Sequence, residues 1–480
     1  MISRWGILFV FALFAFSSCV NEEMETKTIS LDEKPMKMKT KTTTEVEGYD
    51  VSEEEARCVA AVHQKDGIYT ITPLEYEGKN LLYICNFEEG WLLISGDKRA
   101  KPILAESRTG KMDLEEAPEG VLVWLNTLAE DISFIKQEFP LQNTEHTEFW
   151  RQLTQSIEHT PIFTKADPEP GSKWYAVSSS LTLTSEIDTD LVAHLIPIKW
   201  GQDAPWNRKC PIDISNNQKC PLGCVATAIG QLLYFTHYEL WKPMKLYHTI
   251  IISQTSINGS TQNIGFSRSN LVLNSSRWDD MALTRAGYQT CDTLSSYRYV
   301  GDLLLDIGNR FGMDYSGSNS GTDMDVAALS SYYGIHCSSG DYDYSIVQSD
   351  LDNHCPVLIT AYSTQGFLGL SYSDGHCWLI DGLHATIRNY SFTKHFEYGE
   401  DWVQYSEVYD TFEEIQQIYG IQSPSDSIPY NVNNTSHYLL MNWGYDGLYD
   451  DGLYSVGATD NWYANYKNHQ YLRTIYHNIH

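Results

Sequence analysis

Apolar positions in this 480-residue chain fall into one short dense block, a long polar gap, and then runs that alternate between helical and strand-like spacing. The block is Ile7–Phe16, with Arg4 ahead of it and Ser17-Ser18-Cys19 behind it. A positive charge, a short apolar core and small residues make the order of an export signal, and the core is too short for a spanning helix. Residues 1–18 are therefore expected to be a signal, and 19–45, polar up to Thr44, a flexible tether. From Val51 the pattern becomes globular. Ser52 and Glu55 have capping-box spacing, and Ala56, Val59 and Ala60 then share one helical face. Strand-like runs follow at 67–72, 81–87, 90–97 and 102–105, and a helical run from Val121 to Phe139 closes the unit. This predicts a small α+β domain over 46–140. Residues 141–190 are mixed and polar, and Asp167–Ser172 is rich in Pro and Gly, so this stretch is expected to be a linker.

A second domain is expected over 191–480. Val225, Ala228, Ile229, Leu232 and Leu233 have helical spacing. So do Val300, Leu303, Leu304 and Ile307, and Asp323–Tyr333 reads as a further helix. Ser316–Thr322 is Gly/Ser-rich without the Lys-Ser/Thr end of a phosphate loop and reads as a turn. Strands are expected at Cys355–Tyr362 and Gly375–Gly382, with His376, Trp378 and Ile380 on one face, and an aromatic strand end at His437–Gly447. The fold class is α+β throughout.

Charge narrows the partners. The net charge is −29 and no basic patch interrupts it, which argues against a nucleic-acid partner. The ten cysteines are scattered. Cys210 and Cys220 could close a short loop or stay free, and Cys210, Cys220, Cys224 and His237 match no usual zinc spacing. No metal or cofactor is expected.

The chemistry centres on Cys224. Pro221-Leu222-Gly223 is a turn signal, and the helical run begins directly after it. A cysteine there meets unpaired N–H groups and the positive end of the helix dipole, which favour the nucleophilic thiolate. A cysteine in such a place is often only a core residue. Three other features give it company. Gln202 lies upstream, where its amide could donate to an oxyanion. His376 lies on a strand about 150 residues downstream, the separation of a Cys–His pair. Asn442-Trp443 follows, where the Asn carbonyl could orient the imidazole and the Trp shield that bond.

These stretches together resemble the streptopain-type cysteine peptidases, peptidase family C10. The likeness rests on Trp200-x-Gln202…Pro205-x-Asn207, Gly223-Cys224-Val225-Ala226-Thr227-Ala228, Pro356-Val357, Gly375-His376…Ile380-Asp381-Gly382 and Asn442-Trp443-Gly444. Gly90-Trp91-Leu92-Leu93-Ile94-Ser95-Gly96-Asp97, followed by Pro102-Ile103-Leu104-Ala105, is similar to that family's propeptide, or inhibitor-like, domain. The resemblance implies a papain-like peptidase domain preceded by a small α+β prodomain. It implies Cys224 as nucleophile, His376 as general base and acid, Gln202 as oxyanion donor, and Asn442 and Trp443 as support for the histidine. The implied product is a cysteine endopeptidase made as an inactive precursor, whose partners are protein or peptide substrates and its own prodomain. Processing within 141–190 would leave a mature enzyme beginning near 185.

Three departures stand out: Gly230 where the family usually has alanine, Tyr445-Asp446 where it usually reads Trp-Gly, and an inserted segment from His384 to Ser436. Phe16-Ser17-Ser18-Cys19 resembles a bacterial lipobox, which implies a Cys19 lipid anchor to the membrane and a place in the cell envelope. The competing expectations are a catalytically silent envelope lipoprotein that binds peptides or proteins, and a different cysteine enzyme such as an amidase or transglutaminase-like transferase.

Overall fold

The computed structural model describes residues 48–63, 70–138, 144–154, 171–238, 255–262, 275–284, 295–362, 375–400, 407–458 and 473–480, with position 368, apart from positions 180, 214, 258, 259, 282 and 318. The expected signal, tether and Cys19 lie outside them. Helix α1 (Glu53–His63) starts at the expected cap: the Glu55 N–H donates to Ser52 Oγ at 3.2 Å and the Ser52 N–H to Glu55 Oε2 at 2.9 Å. Such a cap stabilises a helix by about 1 kcal/mol. Strands β1 (Thr70–Tyr76), β2 (Lys79–Asn86), β3 (Trp91–Ser95) and β4 (Ile103–Ser107) pair in sequence as an antiparallel meander.

Alternation along these strands sorts their side chains. Leu82, Ile84, Leu93 and Leu104 pack with α2 (Glu119–Glu138) and with residues of the second domain. Tyr83, Cys85, Leu92, Ile94 and Ile103 turn to the opposite face, toward α1 and α3 (Thr144–Leu153).

The stretch expected as a linker is not irregular throughout. It carries α3 near one end, and β5 (Lys173–Ser178) and most of β6 (Thr182–Val192) at the other. Trp174-Tyr175-Ala176-Val177 is β-prone, but its partner strand lies more than 200 residues away, so only the nearby Pro/Gly signal was visible locally.

The second domain continues with a 3-10 turn (Trp206–Lys209), a hairpin of β7 (Ile212–Asp213) and β8 (Gln218–Lys219), and helix α4 (Cys224–Tyr238). Next come β9 (Thr255–Ile257), β10 (Ser260–Gln262), α5 (Ser275–Asp279), α6 (Ser295–Arg310), β11 (Asp314–Tyr315) and α7 (Val326–Tyr333). After β12 (Ser338–Asp341) and α8 (Tyr344–Asp352) the chain returns to strand: β13 (Val357–Tyr362) and the 25-residue β14 (Gly375–Gly399). The last elements are β15 (Val408–Tyr409), α9 (Phe412–Tyr419), β16 (Ile428–Asn442), β17 (Leu453–Ser455) and β18 (Arg473–His477).

One sheet runs through both domains, in the order β1-β2-β3-β4-β17-β16-β14-β13-β18-β12, with β5 and β6 added to β14 and β15 to β5. The first domain joins the second where Glu106 pairs with Leu453 and Ala105 with Tyr454. On one face of the second domain's part of the sheet, Val225, Ile229, Leu232 and Leu233 of α4 pack with Val300, Leu303, Leu304 and Ile307 of α6, and with Cys377 and Leu379 of β14. The Gly230 departure has a steric reason: a Cβ there would land on the Leu304 methyl group, so glycine sets the close approach of the two helices.

The described residues of His384–Ser436 lie mostly in strand and helix. The outer half of β14 pairs with β16 from His384 opposite Tyr438 to Lys394 opposite Ile428, and β6 and β5 pair along the other side of β14. These strands, with α9, build an arm. Its tip has a core of its own, made by Ala176, Phe396, Ile415 and Ile421 with Trp174, Tyr409 and Phe412 around them.

Candidate active site

Cys224 is the first residue of α4, as its turn signal predicts. Gly223 has φ +85°, and a Cβ there would come within 2.6 Å of Met313 Sδ and 2.8 Å of the Ser320 carbonyl oxygen. Only glycine lets the chain enter the helix so close to the 313–320 segment. Burial pushes the Cys224 thiol up to about 11; the Cys377 N–H at its sulfur pulls the other way, the Glu119 carboxylate raises it further, and the Val225 and Cys224 N–H groups lower it. The backbone donors are those expected at a helix N-terminus.

His376 is the second residue of β14 and lines the same cleft as Cys224. The cleft wall continues through Val225, Asn319–Met324, Thr360, Tyr362 and Gly375, and Glu119 of the first domain closes it. The imidazole does not bond the sulfur. Its Nε2 lies 3.4 Å from the Trp443 carbonyl oxygen, and its Nδ1 is buried with no hydrogen-bond partner. The ring stacks between Trp378 and Tyr445, with centroids 6.0 and 5.6 Å away. Burial depresses its pKa to about 4, against a raising effect of the Trp443 carbonyl. A neutral imidazole and an un-ionised thiol thus share the cleft.

The cause is visible in α2. Gly120 sits so close that a Cβ there would be 2.5 Å from His376 Cδ2 and 2.8 Å from Trp443 Cε3. The Glu119 N–H also reaches the Tyr445 hydroxyl. The first turn of the first domain's helix therefore seals the histidine from water, and desolvation sets both pKa directions.

The remaining predicted residues divide. Gln202 is buried and its main-chain carbonyl accepts from the Leu222 N–H, two residues before Cys224. Its side-chain Nε2 is buried with no hydrogen-bond partner, a free donor tied to the nucleophile's turn. Trp443 is fully buried and its ring lies 5.1 Å from that of Trp378, beneath the histidine. Asn442 is not brought to His376. Its Nδ2 donates to the Ile198 carbonyl at 3.0 Å and its Oδ1 accepts from the Gly444 N–H at 3.3 Å. Here it ties the strand end to the 198 segment, while the carbonyl of the next residue meets the imidazole.

Sequence reasoning missed Gly120, Tyr445 and the 319–324 segment as parts of the site. Tyr445 was seen only as a departure, and 316–322 only as a turn. Cys210 and Cys220 are free thiols, and among the described residues no cluster of His, Cys, Asp or Glu could hold a metal.

The sequence profile described as the Peptidase C10 family matches residues 200–454, just over half of the chain and all five of the residues above. The chain belongs to the peptidase C10 family. A second profile, described as Spi protease inhibitor, matches residues 36–132, so this C10 peptidase carries an inhibitor-like propeptide domain ahead of its enzyme domain and is zymogen-like. Streptopain of Streptococcus pyogenes serotype M1 is 23% identical over 335 residues, covering 66% of this chain and 71% of the relative. Streptopain of serotype M28 matches to the same extent. Among solved structures, a fragment of Prevotella intermedia prointerpain A covers 85% of this chain and 98% of its own, at 18% identity and a TM-score of 0.46. Active interpain A of the same organism covers 61% and 95%, at 19% identity and a TM-score of 0.36. By its two profile matches the chain is a C10 cysteine peptidase preceded by an inhibitor-like propeptide domain.

Proposed function

We propose that the chain is the lipid-anchored precursor of an endopeptidase that cleaves by acyl transfer. The Cys224 thiolate attacks the peptide carbonyl, and His376 protonates the leaving amine. The Gln202 amide and the Cys224 N–H stabilise the oxyanion, and water then hydrolyses the thioester. The observation that carries this reading is the Cys224 sulfur at a helix N-terminus, met by backbone N–H groups, in one cleft with His376. The described form is latent because α2 holds the imidazole against Trp443 and keeps water out. Activity then requires α2 to leave, after which the ring can swing to the sulfur and both groups can ionise.

A cut near 185 would fall inside β6, whose backbone is paired with β14 from Thr182 to Val192. A peptidase needs an extended, unpaired backbone, so the cut is proposed outside the paired strands β5 and β6, ahead of Lys173. Cys19 is proposed as the lipidated N-terminal residue, with the mature protein in the bacterial cell envelope.

The test is the Cys224→Ala chain on denatured casein. Release of new N-termini should fall by several orders of magnitude with the thermal midpoint unchanged. Retained proteolysis would remove Cys224 from its role, and an unaltered chain that still binds peptides but stays inactive after its first domain has been cut away would favour the silent lipoprotein. For the anchor, the intact mass of detergent-extracted protein should show a diacylglycerol adduct on a Cys19 N-terminus; a soluble product starting elsewhere rejects it.

A further inference from the structure

Besides the β4–β17 seam and the core that α2 shares with the second domain, the first domain is gripped at two further places. One is the cleft, where Glu119 and Gly120 meet Cys224, His376 and Trp443. The other is the arm, on the opposite face of the β1–β4 sheet. There Tyr390 and Phe392 of β14, with Leu181 and Leu183 beside and in β6, join Ala56, Val59, Ile94, Ile103 and Trp150 in one apolar cluster. Tyr390 is 1% exposed; its hydroxyl lies 3.1 Å from His63 Nε2 and its ring packs edge-on against Phe149. Next to it Arg388, 4% exposed at its side chain, donates to Glu106 of the first domain at 2.5 Å and to Glu186 of β6 at 2.5 Å. Arg108 of the first domain returns the pairing, reaching Glu186 and Asp188 of β6. The arm thus supplies part of the first domain's own core and a buried ion-pair partner. It does so through the segment that departs from the C10 pattern.

We propose that the arm is a second docking site for the first domain, independent of the cleft, and that it keeps the severed domain on the enzyme after the connecting chain is cut. Cutting and unmasking are then separate events. The cut frees the covalent tie, while the arm retains the domain until its apolar cluster and the Arg388–Glu106 pair are broken. The physical basis is that both are removed from water. Separation would expose Tyr390, Phe392, Leu181 and Leu183 together, take Arg388 away from Glu106 and leave it Glu186 alone. Buried pairs of this kind govern dissociation more than encounter. The inference rests on the reading that the chain is cut between its domains, but its test needs no peptidase activity.

The experiment uses the full chain with Cys224→Ala, to prevent self-cleavage, and a recognition sequence for an unrelated specific protease placed within 160–166. After cutting, the two fragments should co-elute on size exclusion at micromolar concentration. The Arg388→Ala/Tyr390→Ala chain should release the first fragment, with a dissociation constant raised at least 100-fold. Gly120→Leu, which attacks only the cleft contact, should leave the fragments together. Glu106→Gln weakens the same ion pair from the other side and should act in the same direction as the arm variant. It should also show non-additivity with Arg388→Gln, so a misfolded arm variant does not decide the matter. Separation of the unaltered fragments on cutting, equal retention in the arm and Glu106 variants, or additivity of Glu106→Gln with Arg388→Gln would each overturn the proposal. Loss of casein cleavage in Cys224→Ala bears only on the peptidase assignment and leaves this outcome untouched.

Discussion

Substituting Gly120 with leucine should wake the nucleophile in the uncut chain. In the described form burial holds the Cys224 thiol at about 11. An ordinary cysteine titrates near 8.5, so at pH 7.5 about one free thiol in ten is ionised, against roughly three in ten thousand for Cys224. The more basic thiolate is intrinsically better at attacking a disulfide, which recovers about tenfold of that roughly 300-fold deficit. Cys224 in the intact chain should therefore react with an aromatic disulfide some ~30-fold more slowly than a small thiol. A Cβ at position 120 meets His376 Cδ2 at 2.5 Å and Nε2 at 2.9 Å, and the rest of a leucine side chain has no room at all. Forcing such a contact costs about 1–3 kcal/mol, which shifts the docked equilibrium of the α2 end by roughly 5- to 150-fold. Water and the imidazole then reach the sulfur, and its rate should rise to that of a free thiol or beyond. The assay is the second-order rate of labelling from pH 6 to 11, with the Cys224→Ala chain as background. A parent rate already flat below pH 7 would mean that the thiolate–imidazolium pair exists in the uncut chain. A correctly folded Gly120→Leu chain that labels no faster than the parent would mean that α2 does not control the site.

Two further outcomes follow from other parts of the structure. His63, at the arm, is held at about 4, first by burial and next by the Arg388 charge. A histidine whose docked pKa lies below its free value disfavours docking as pH falls from 6.5 toward 4, so first-domain retention should weaken in that window. The full shift corresponds to about 3 kcal/mol, and the ring's residual solvent contact reduces the expectation to about 1–2 kcal/mol. Fragment retention measured at pH 7.5 and 4.5 checks the sign, and His63→Gln should flatten the dependence. Asn442→Ala should lower the thermal stability of the precursor by about 1–3 kcal/mol, because it leaves the buried Ile198 carbonyl and Gly444 N–H unpaired; an unchanged melting curve would contradict the bonding described.

Much of the enzyme domain was legible because its signals are local. A Pro-x-Gly turn before helical spacing placed Cys224 at the start of α4, and strand alternation placed His376 with Trp378 on the face opposite Cys377. Short strand-like apolar runs at 81–87 and 90–97 gave β2 and β3 of the first domain's sheet. What stayed hidden depends on residues far apart in the chain. β5 and β6 become strands only because the outer half of β14 exists to pair with them, and β14 extends past Gly382 only because β16 matches it to Lys394. Gly120 looks like an unremarkable residue near a helix start. Its importance lies in the absence of a side chain where two aromatic rings arrive from more than 250 residues away. Asn442 shows the opposite error: its neighbours in sequence fit an orienting role, while its hydrogen bonds in this form go to Ile198 and Gly444.

The seam between β4 and β17 has its own consequence for solubility. Among the described residues two pairs, Glu106 with Leu453 and Ala105 with Tyr454, carry the sheet from one domain to the other. When the domains part, each is left with a raw sheet edge, the kind of surface on which chains stack into aggregates. Here those edges are short: β17 spans Leu453–Ser455, and β4 ends at Ser107 with Arg108 directly behind it. Brief strands flanked by charge are poor templates for further strand addition. The join can be long enough to align two domains and still leave little for neighbouring molecules to grip once it opens.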